Sequence, residues 1–320
     1  MTAPPQISII IPTLNVAGVI SETLESVQRQ TFQNFEAIIV DGGSTDVSAA
    51  IVRQFCKNDP RFSFVLQHGS DISTARNTAI QRARGEWIAF LDADDVWLPE
   101  KLERQIELAR KEPRANFLFT NYFIWDGRRD SAIYYRANHP LPDGDVVRRL
   151  IRNNIFGTSS VFARRELFKD DCQFDSQFLN GCEDWDLWLR LAERGLWARG
   201  EREPLVRYRR WQHNKSNQKL KTVLGDIQVF EKNLRVTQRS ELRPLYRRSL
   251  NFARAKLELA RARPLVETQP AAVPAFIWRA WLLYPRKLKW LMWFALVVWP
   301  KFLGGGATAR IIHRKLIQKF

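Results

Sequence analysis

The sequence predicts a doubly wound α/β domain, with a mostly parallel central sheet flanked by helices, followed by a helical carboxyl-terminal region. Three observations carry this reading. Over the first 125 residues, short apolar runs alternate four times with segments of helical period, the pattern of strand, crossover helix and parallel strand. From about residue 217 the chain turns into Leu-, Ala- and Arg-rich stretches at helical spacing. A length of 320 residues that are 45% apolar and 26% charged supports a sizeable core and excludes wholesale disorder. The predicted division is a first domain over 1–216 and a basic, Trp-rich region over 217–320.

Ile7–Ile11 is apolar apart from Ser8 and stops at Pro12, as a buried strand would; Ile20, Leu24 and Val27 then mark one helix face. Ala37–Val40 is a second strand, ended by Asp41-Gly42-Gly43-Ser44-Thr45-Asp46. Thr45 or Asp46 would cap the helix carrying Val47, Ile51 and Phe55. Phe64–Leu66 is a third, weaker strand. Ser73 can cap a helix with Ala75, Ala79 and Ala83, closed by Gly85. Trp87–Leu91 is apolar on both faces, as in a parallel sheet covered by helices. Pro99 opens a helix that turns Leu102, Ile106 and Ala109 inward.

In such sheets ligands bind beyond the carboxyl ends of the strands. Thr13 and Asn15 follow the first strand, Asp41 the second, and Asp92-Ala93-Asp94-Asp95 the fourth, while Arg76 and Asn77 sit on the helix leading into it. Three carboxylates in four residues repel one another unless a hard divalent cation bridges them to a phosphate. The competing structural reading is a polar turn that caps the next helix, and on this motif alone the two stand level. Asp41 could accept a base N–H or a ribose hydroxyl, or cap its own turn. Arg76 offers a charge-assisted fork to a diphosphate, or is a solvated helix arginine.

Four segments in order, Ser8–Asn15, Val40–Asp46, Ala75-Arg76-Asn77 and Gly85–Asp95, resemble the family 2 glycosyltransferases of GT-A (Rossmann-like) fold. The resemblance implies inverting transfer of a sugar from a nucleotide-diphosphate-sugar donor, a UDP-sugar in the common case, with Mg2+ or Mn2+ as cofactor. It assigns the Pro12-Thr13 strand end and Asp41 to the base, with Asn15 in the same crevice. Arg76 goes to the pyrophosphate, Asp92 to the ribose and Asp94 to the metal.

On the acceptor side, Phe117–Trp125 and Ala132–Tyr135 read as a hairpin around Asp126-Gly127, and Gly157–Ala163 as a further strand. Glu183, Asp184 and Asp186 crowd the first turn of a helix that Gly195 ends, where the helix dipole stabilises carboxylates whatever their use. An inverting transfer needs a carboxylate there to take the acceptor proton. The resemblance maps this base to Asp184, supported by Glu183, and sets His213 near the metal or diphosphate.

Residues 1–200 hold 24 Lys/Arg against 27 Asp/Glu, and residues 201–320 hold 26 against 7. The +16 net charge therefore belongs to the second half, which should face a polyanion. Its longest charge-free apolar run, Trp290–Trp299, would span about 15 Å as a helix, half a hydrocarbon core. With Trp278 and Trp281 upstream, and flanked by Arg286, Lys287, Lys289 and Lys301, it suits a segment lying in a membrane interface, with an internal helical hairpin as the alternative. The expectation is a peripheral enzyme on the inner, cytoplasmic face of the cell membrane, acting on a glycan or lipid-linked acceptor. Three scattered cysteines and the lack of a basic, apolar leader fit that compartment. A nucleic-acid-binding protein is disfavoured because no RNA or DNA motif accompanies the charge. A nucleotidyltransferase is disfavoured because Pro12-Thr13-Leu14-Asn15 is no glycine-rich loop.

Overall fold

The computed structural model describes residues 4–69, 71–136, 139–169, 172–178, 180–210, 219–269 and 271–285. The chain divides into two compact units, Met1–Asn214 and Lys215–Phe320. In the first unit, β1 (Ile7–Thr13), β2 (Phe35–Asp41), β3 (Phe62–Leu66) and β4 (Trp87–Phe90) lie in the order β3-β2-β1-β4, all parallel. Beyond β4 the sheet becomes mixed. Two-residue β5 (Val96–Trp97), β6 (Phe117–Trp125), β7 (Asp130–Ile133), β8 (Val161–Arg164) and β9 (Ala198–Arg209) bring it to nine strands among the described residues. β8 runs antiparallel between β4 and β6, β9 runs parallel to β6, and β5 closes the far edge on β9.

The continuous apolar strands are buried on both faces because helices cover both. Ile7, Ile9 and Ile11 of β1 share one core with Ile20, Leu24 and Val27 of α1 (Ile20–Gln28), Val52 of α2 (Ser48–Asn58), and the Leu102, Ile106 and Ala109 face of α4 (Lys101–Lys111). The helix between them in sequence, α3 (Ile72–Arg82), packs on β1 and β2 and buries Ala75 and Ala79. Val147 and Leu150 of the short α5 (Val147–Leu150) are buried, and α6 (Glu183–Glu193) sets Trp188 edge-on to Phe90 and Phe117. Each fully buried aliphatic or aromatic side chain contributes about 1.5–3 kcal/mol.

Several local expectations are corrected. Asp71, not Ser73, caps α3, taking the Ser73 and Thr74 amides on its carboxylate. Asp46 accepts the Ser48 amide, but α2 begins one residue later, behind Val47. Gly157–Ala163 is not one strand: Thr158–Ser160 forms a 3-10 turn before β8, as a Gly-Thr-Ser-Ser run permits. Gly85 does not end α3, which stops at Arg82. It sits where β4 is about to pass β1, and a Cβ there would lie 2.6 Å from the Ser8 amide nitrogen.

The second unit contains α7 (Lys219–Val236), α8 (Arg243–Ala262), α9 (Leu265–Thr268) and α10 (Val273–Leu283). Small residues let α8 and α10 approach: Ala255 meets Ala280, and Ala262 meets Val273 and Ile277. Asp226 of α7 pairs with Lys256 of α8 at 2.6 Å. Trp278 and Leu282 remain exposed on α10. Among the described residues no helix is long and apolar enough to cross a membrane. Trp290–Trp299 and its basic flanks Arg286, Lys287, Lys289 and Lys301 lie outside the described residues, as does His213.

Gly85→Ala should destabilise the protein by about 1–3 kcal/mol, because backbone rather than a flexible side chain blocks the new methyl group. Urea unfolding checks this; an unchanged midpoint would contradict the close passage.

Candidate active site

Parallel pairing sets the first part of the site. Pro12 opposes Val40 and Thr13 opposes Asp41, so the ends of β1 and β2 lie side by side. Asp41 is fully buried, and its carboxylate is already engaged: Oδ1 accepts the Gly43 and Ser44 amides at 2.9 and 2.7 Å, and Oδ2 accepts the Ser44 hydroxyl. Asn15 adopts a left-handed backbone, with φ of 52°, and bridges the two loops. Its Oδ1 accepts the Thr45 amide at 2.8 Å, while its own amide donates to Ser44 Oγ at 2.9 Å. Val16 and Ala17 add further stitches to Ser48 and Asp46. The Thr13 hydroxyl is buried and has no partner among the described residues.

Arg76 forms the second part. From the second turn of α3 it reaches a position 2% exposed, where Nη1 donates to Glu183 Oε1 and Nη2 to Asp92 Oδ1, both at 2.7 Å. Phe174 lies 5.0 Å below the guanidinium. The two carboxylates outweigh burial and raise the guanidinium further above its ordinary value, so Arg76 stays charged. The fork expected to face a diphosphate thus ties the end of β4 to the start of α6.

That start is built by two successive left-handed residues, Gly181 at φ 85° and Cys182 at φ 71°. The second is uncommon for a residue with a Cβ. They turn the chain sharply into α6 and leave Glu183, Asp184 and Asp186 on its first turn. Asp184 Oδ2 accepts from Asn154 Nδ2 and Thr158 Oγ1, each at 3.1 Å. Part of Asp184 remains exposed. Burial by the surrounding protein, then the Glu183 charge, nevertheless pushes its carboxyl up to about 6, against the lowering pull of Arg76. The group is therefore mostly ionised at neutral pH and can still accept a proton.

Sequence reasoning missed what joins these parts. Ser159 Oγ accepts the Asp92 amide at 3.0 Å and donates to Asp95, so the turn that carries Thr158 also holds the aspartate loop. Asp95, with no exposure, takes the Arg209 amide on its other oxygen. Burial and the charges of Asp94 and Asp92 push its carboxyl well above the usual range. Arg209 also donates through Nε to the Asp94 carbonyl at 2.7 Å. Asp94 itself is half-buried. Asp95 belonged to the visible cluster, and the Gly-Thr-Ser-Ser run was a turn signal; nothing local pointed to Asn154 or Arg209.

This arrangement of strand ends, buried arginine and helix-borne carboxylates coincides with a family match. The model for glycosyl transferase family 2 matches residues 8–171. A putative teichuronic acid biosynthesis glycosyltransferase of Bacillus subtilis, TuaG, is 34% identical over 218 residues, 68% of this chain and 84% of TuaG. The chain is a family 2 glycosyltransferase. Another relative of this glycosyltransferase is named UDP-Glc:alpha-D-GlcNAc-diphosphoundecaprenol beta-1,3-glucosyltransferase WfgD, from Escherichia coli. It is 32% identical over 188 residues, 58% of this chain and 70% of WfgD. The crystal structure of S. aureus TarS 1-349 in complex with UDP-GlcNAc superposes with a TM-score of 0.65 at 18% identity, covering 94% of the glycosyltransferase and 93% of that chain. That likeness establishes the GT-A fold.

Because the Asp184 carboxyl is raised in the folded state above about 3.9 for an unfolded chain, the folded protein binds the extra proton. Asp184 therefore costs stability as pH rises through that window. Two units correspond to about 3 kcal/mol, which partial exposure screens to about 1–2 kcal/mol. Asp184→Asn should be more stable than the parent by that amount at pH 8, with the advantage shrinking below pH 6 and gone near pH 3. Urea titrations at these pH values test the sign.

Proposed function

We propose that this glycosyltransferase moves a sugar from a UDP-sugar to a phosphate-linked glycan acceptor by single displacement with inversion, with Asp184 as the base. The observation that carries it is the Asp184 carboxylate, held by Asn154 and Thr158 and raised to about 6. Such a group takes the proton from an acceptor hydroxyl as that oxygen attacks the anomeric carbon, while the bond to the nucleoside diphosphate breaks on the opposite side. Glu183 binds Arg76 and keeps this base oriented.

Thr13 and Asp41, at neighbouring strand ends, are the proposed base-binding residues, with Pro12 and Asn15 shaping their loops. An unpartnered buried hydroxyl costs about 1–3 kcal/mol, so a ligand atom at Thr13 would relieve it. Asp92 is the proposed ribose contact, and Arg76 supplies a fixed positive charge behind it for the pyrophosphate. The oxygen donors Asp92 and Asp94 fit a hard divalent cation. Among the described residues no group of three or more ligating side chains is assembled, but magnesium or manganese can take one or two carboxylates, with phosphate oxygens and waters completing its shell. Asp94 would hold the ion, with His213 as the proposed partner, and the ion would supply Lewis-acid neutralisation of the departing diphosphate.

The names of WfgD and TuaG support a role in cell-envelope polysaccharide synthesis, with an acceptor carried on a membrane lipid. Such an acceptor and the basic second half support a peripheral position on the inner face of the membrane. Residues 286–320 carry eight Lys/Arg and no acid. Each basic residue near an anionic surface adds about 1 kcal/mol.

A thermal-shift panel of UDP-sugars with manganese or magnesium tests the donor class; no stabilisation by any of them would overturn it. Asp184→Asn should retain donor binding and lose roughly 10²–10⁴-fold in kcat. The parent's kcat/KM should fall about tenfold per pH unit below about 6. Asp94→Asn should abolish metal-dependent turnover, and full activity would remove it as a ligand. Truncation of 286–320 should weaken binding to phosphatidylglycerol vesicles at least tenfold. Unchanged binding would refute the membrane role of that segment.

A further inference from the structure

A cleft of about 410 Å3 is lined by Tyr134, Tyr135, Arg136, His139, Pro140 and Arg149. None of these residues enters the donor and base machinery described above, and none of them is a carboxylate. The stretch 127–156 carries six arginines and three aspartates, in a half of the chain where acids slightly outnumber bases. Two of those aspartates are already committed, Asp130 to Arg207 and Asp143 to Arg199. The cleft is therefore a local positive surface facing solvent.

Its cations differ in what they do. Arg149 frames the wall, donating to the Leu141 and Pro140 carbonyls at 3.2 and 3.3 Å, and Arg202 reaches the His139 carbonyl at 3.4 Å. Arg136 is exposed and makes no ion pair or side-chain hydrogen bond among the described residues. A guanidinium in that condition offers a bidentate fork to a phosphate. The tyrosines add flat aromatic surface. Tyr134 is 41% exposed, stacks on Tyr122 at 4.6 Å and meets Tyr135 edge-on at 4.8 Å.

The cleft is also connected to the base. The Tyr134 hydroxyl donates to the Asn154 carbonyl at 3.5 Å, and the Tyr135 hydroxyl donates to the Ile155 carbonyl. The amide of that same Asn154 donates to Asp184 Oδ2 at 3.1 Å. One residue thus carries the cleft wall on its backbone and the base on its side chain.

We propose that this cleft binds the phosphate-bearing end of the acceptor, with the diphosphate on Arg136 and the linked sugar against the tyrosines, so that an acceptor hydroxyl is presented to Asp184. The proposal rests on the reading of Asp184 as the base of a sugar transfer, and it adds what selects the acceptor: a doubly charged phosphate linkage.

The test compares the parent, Arg136→Gln and Arg136→Lys, using UDP-glucose and UDP-N-acetylglucosamine as donors. The acceptors are N-acetylglucosamine joined through diphosphate to a short lipid and the matching phosphate-free alkyl glycoside. Arg136→Gln should raise KM for the diphosphate acceptor about tenfold. KM for the phosphate-free glycoside and for the donor should stay within twofold, and lysine should restore part of the loss. Equal KM shifts for both acceptors, or none, would overturn the assignment. Calorimetric binding of the diphosphate lipid without any donor keeps the proposal decidable if no transfer occurs. In that case the proposed pairing of donor and acceptor fails, while tenfold weaker binding by Arg136→Gln still supports the cleft and equal binding sinks it. Loss of binding to phosphatidylglycerol vesicles without any change toward the diphosphate acceptor would mark a bilayer contact and would also overturn it.

Discussion

The structure of the first unit depends on a guanidinium taken out of water. Arg76 is almost fully buried, and a charge in that position is tolerable only when opposite charges and good hydrogen bonds replace its hydration. Asp92 and Glu183 provide both. They lie 91 residues apart in sequence, so the ion triad fixes where the end of β4 stands relative to the start of α6. If either partner is removed, the arginine keeps its charge and loses its compensation. Ser159 repeats the connection on the other side, through the Asp92 amide and Asp95. The aspartate loop is thus held from two directions, and the turn bearing Thr158 moves with it.

The same region shows where the protein accepts a cost. Asp184 is ionised at neutral pH although burial and the Glu183 charge oppose it. Cys182 occupies a backbone region that most side chains avoid. Both features sit at the start of α6, where the helix dipole and two hydrogen-bond donors offset the cost of the ionised carboxylate. Concentrated strain and unfavourable ionisation in one turn, supported by a well-packed sheet on both faces, are what a stability–activity compromise predicts for the proposed base.

Most of the parallel half was legible in the sequence, because its strands are near-continuous apolar runs and its helices bury residues at regular spacing. The Leu102, Ile106 and Ala109 face emerged as read. The mixed half was less so. A two-residue strand such as β5 has no periodicity, and the long β9 alternates charged and apolar residues irregularly as it passes two register shifts on β6. At the site, the charged residues were visible as a constellation but their pairing was not. Both Nη atoms of Arg76 and both carboxylate oxygens of Asp41 are engaged by protein atoms, and such partners depend on which loops the fold brings together. The left-handed backbone of Cys182 is invisible to propensity, which reserves that conformation mostly for glycine.

The stitching of the β1 and β2 loops by Asn15 has a consequence for recognition. Five hydrogen bonds involving side chains, three of them made by Asn15, hold two otherwise independent segments in one conformation before anything arrives. Their disorder is surrendered when the chain folds, so a molecule entering between Thr13 and Asp41 meets a rigid cradle and loses little of its affinity to ordering. The reverse side of such rigidity is intolerance. In the proposed donor site, a wrong heterocycle cannot be accommodated by loop adjustment, and discrimination then resides in the shape of the space between the two strand ends.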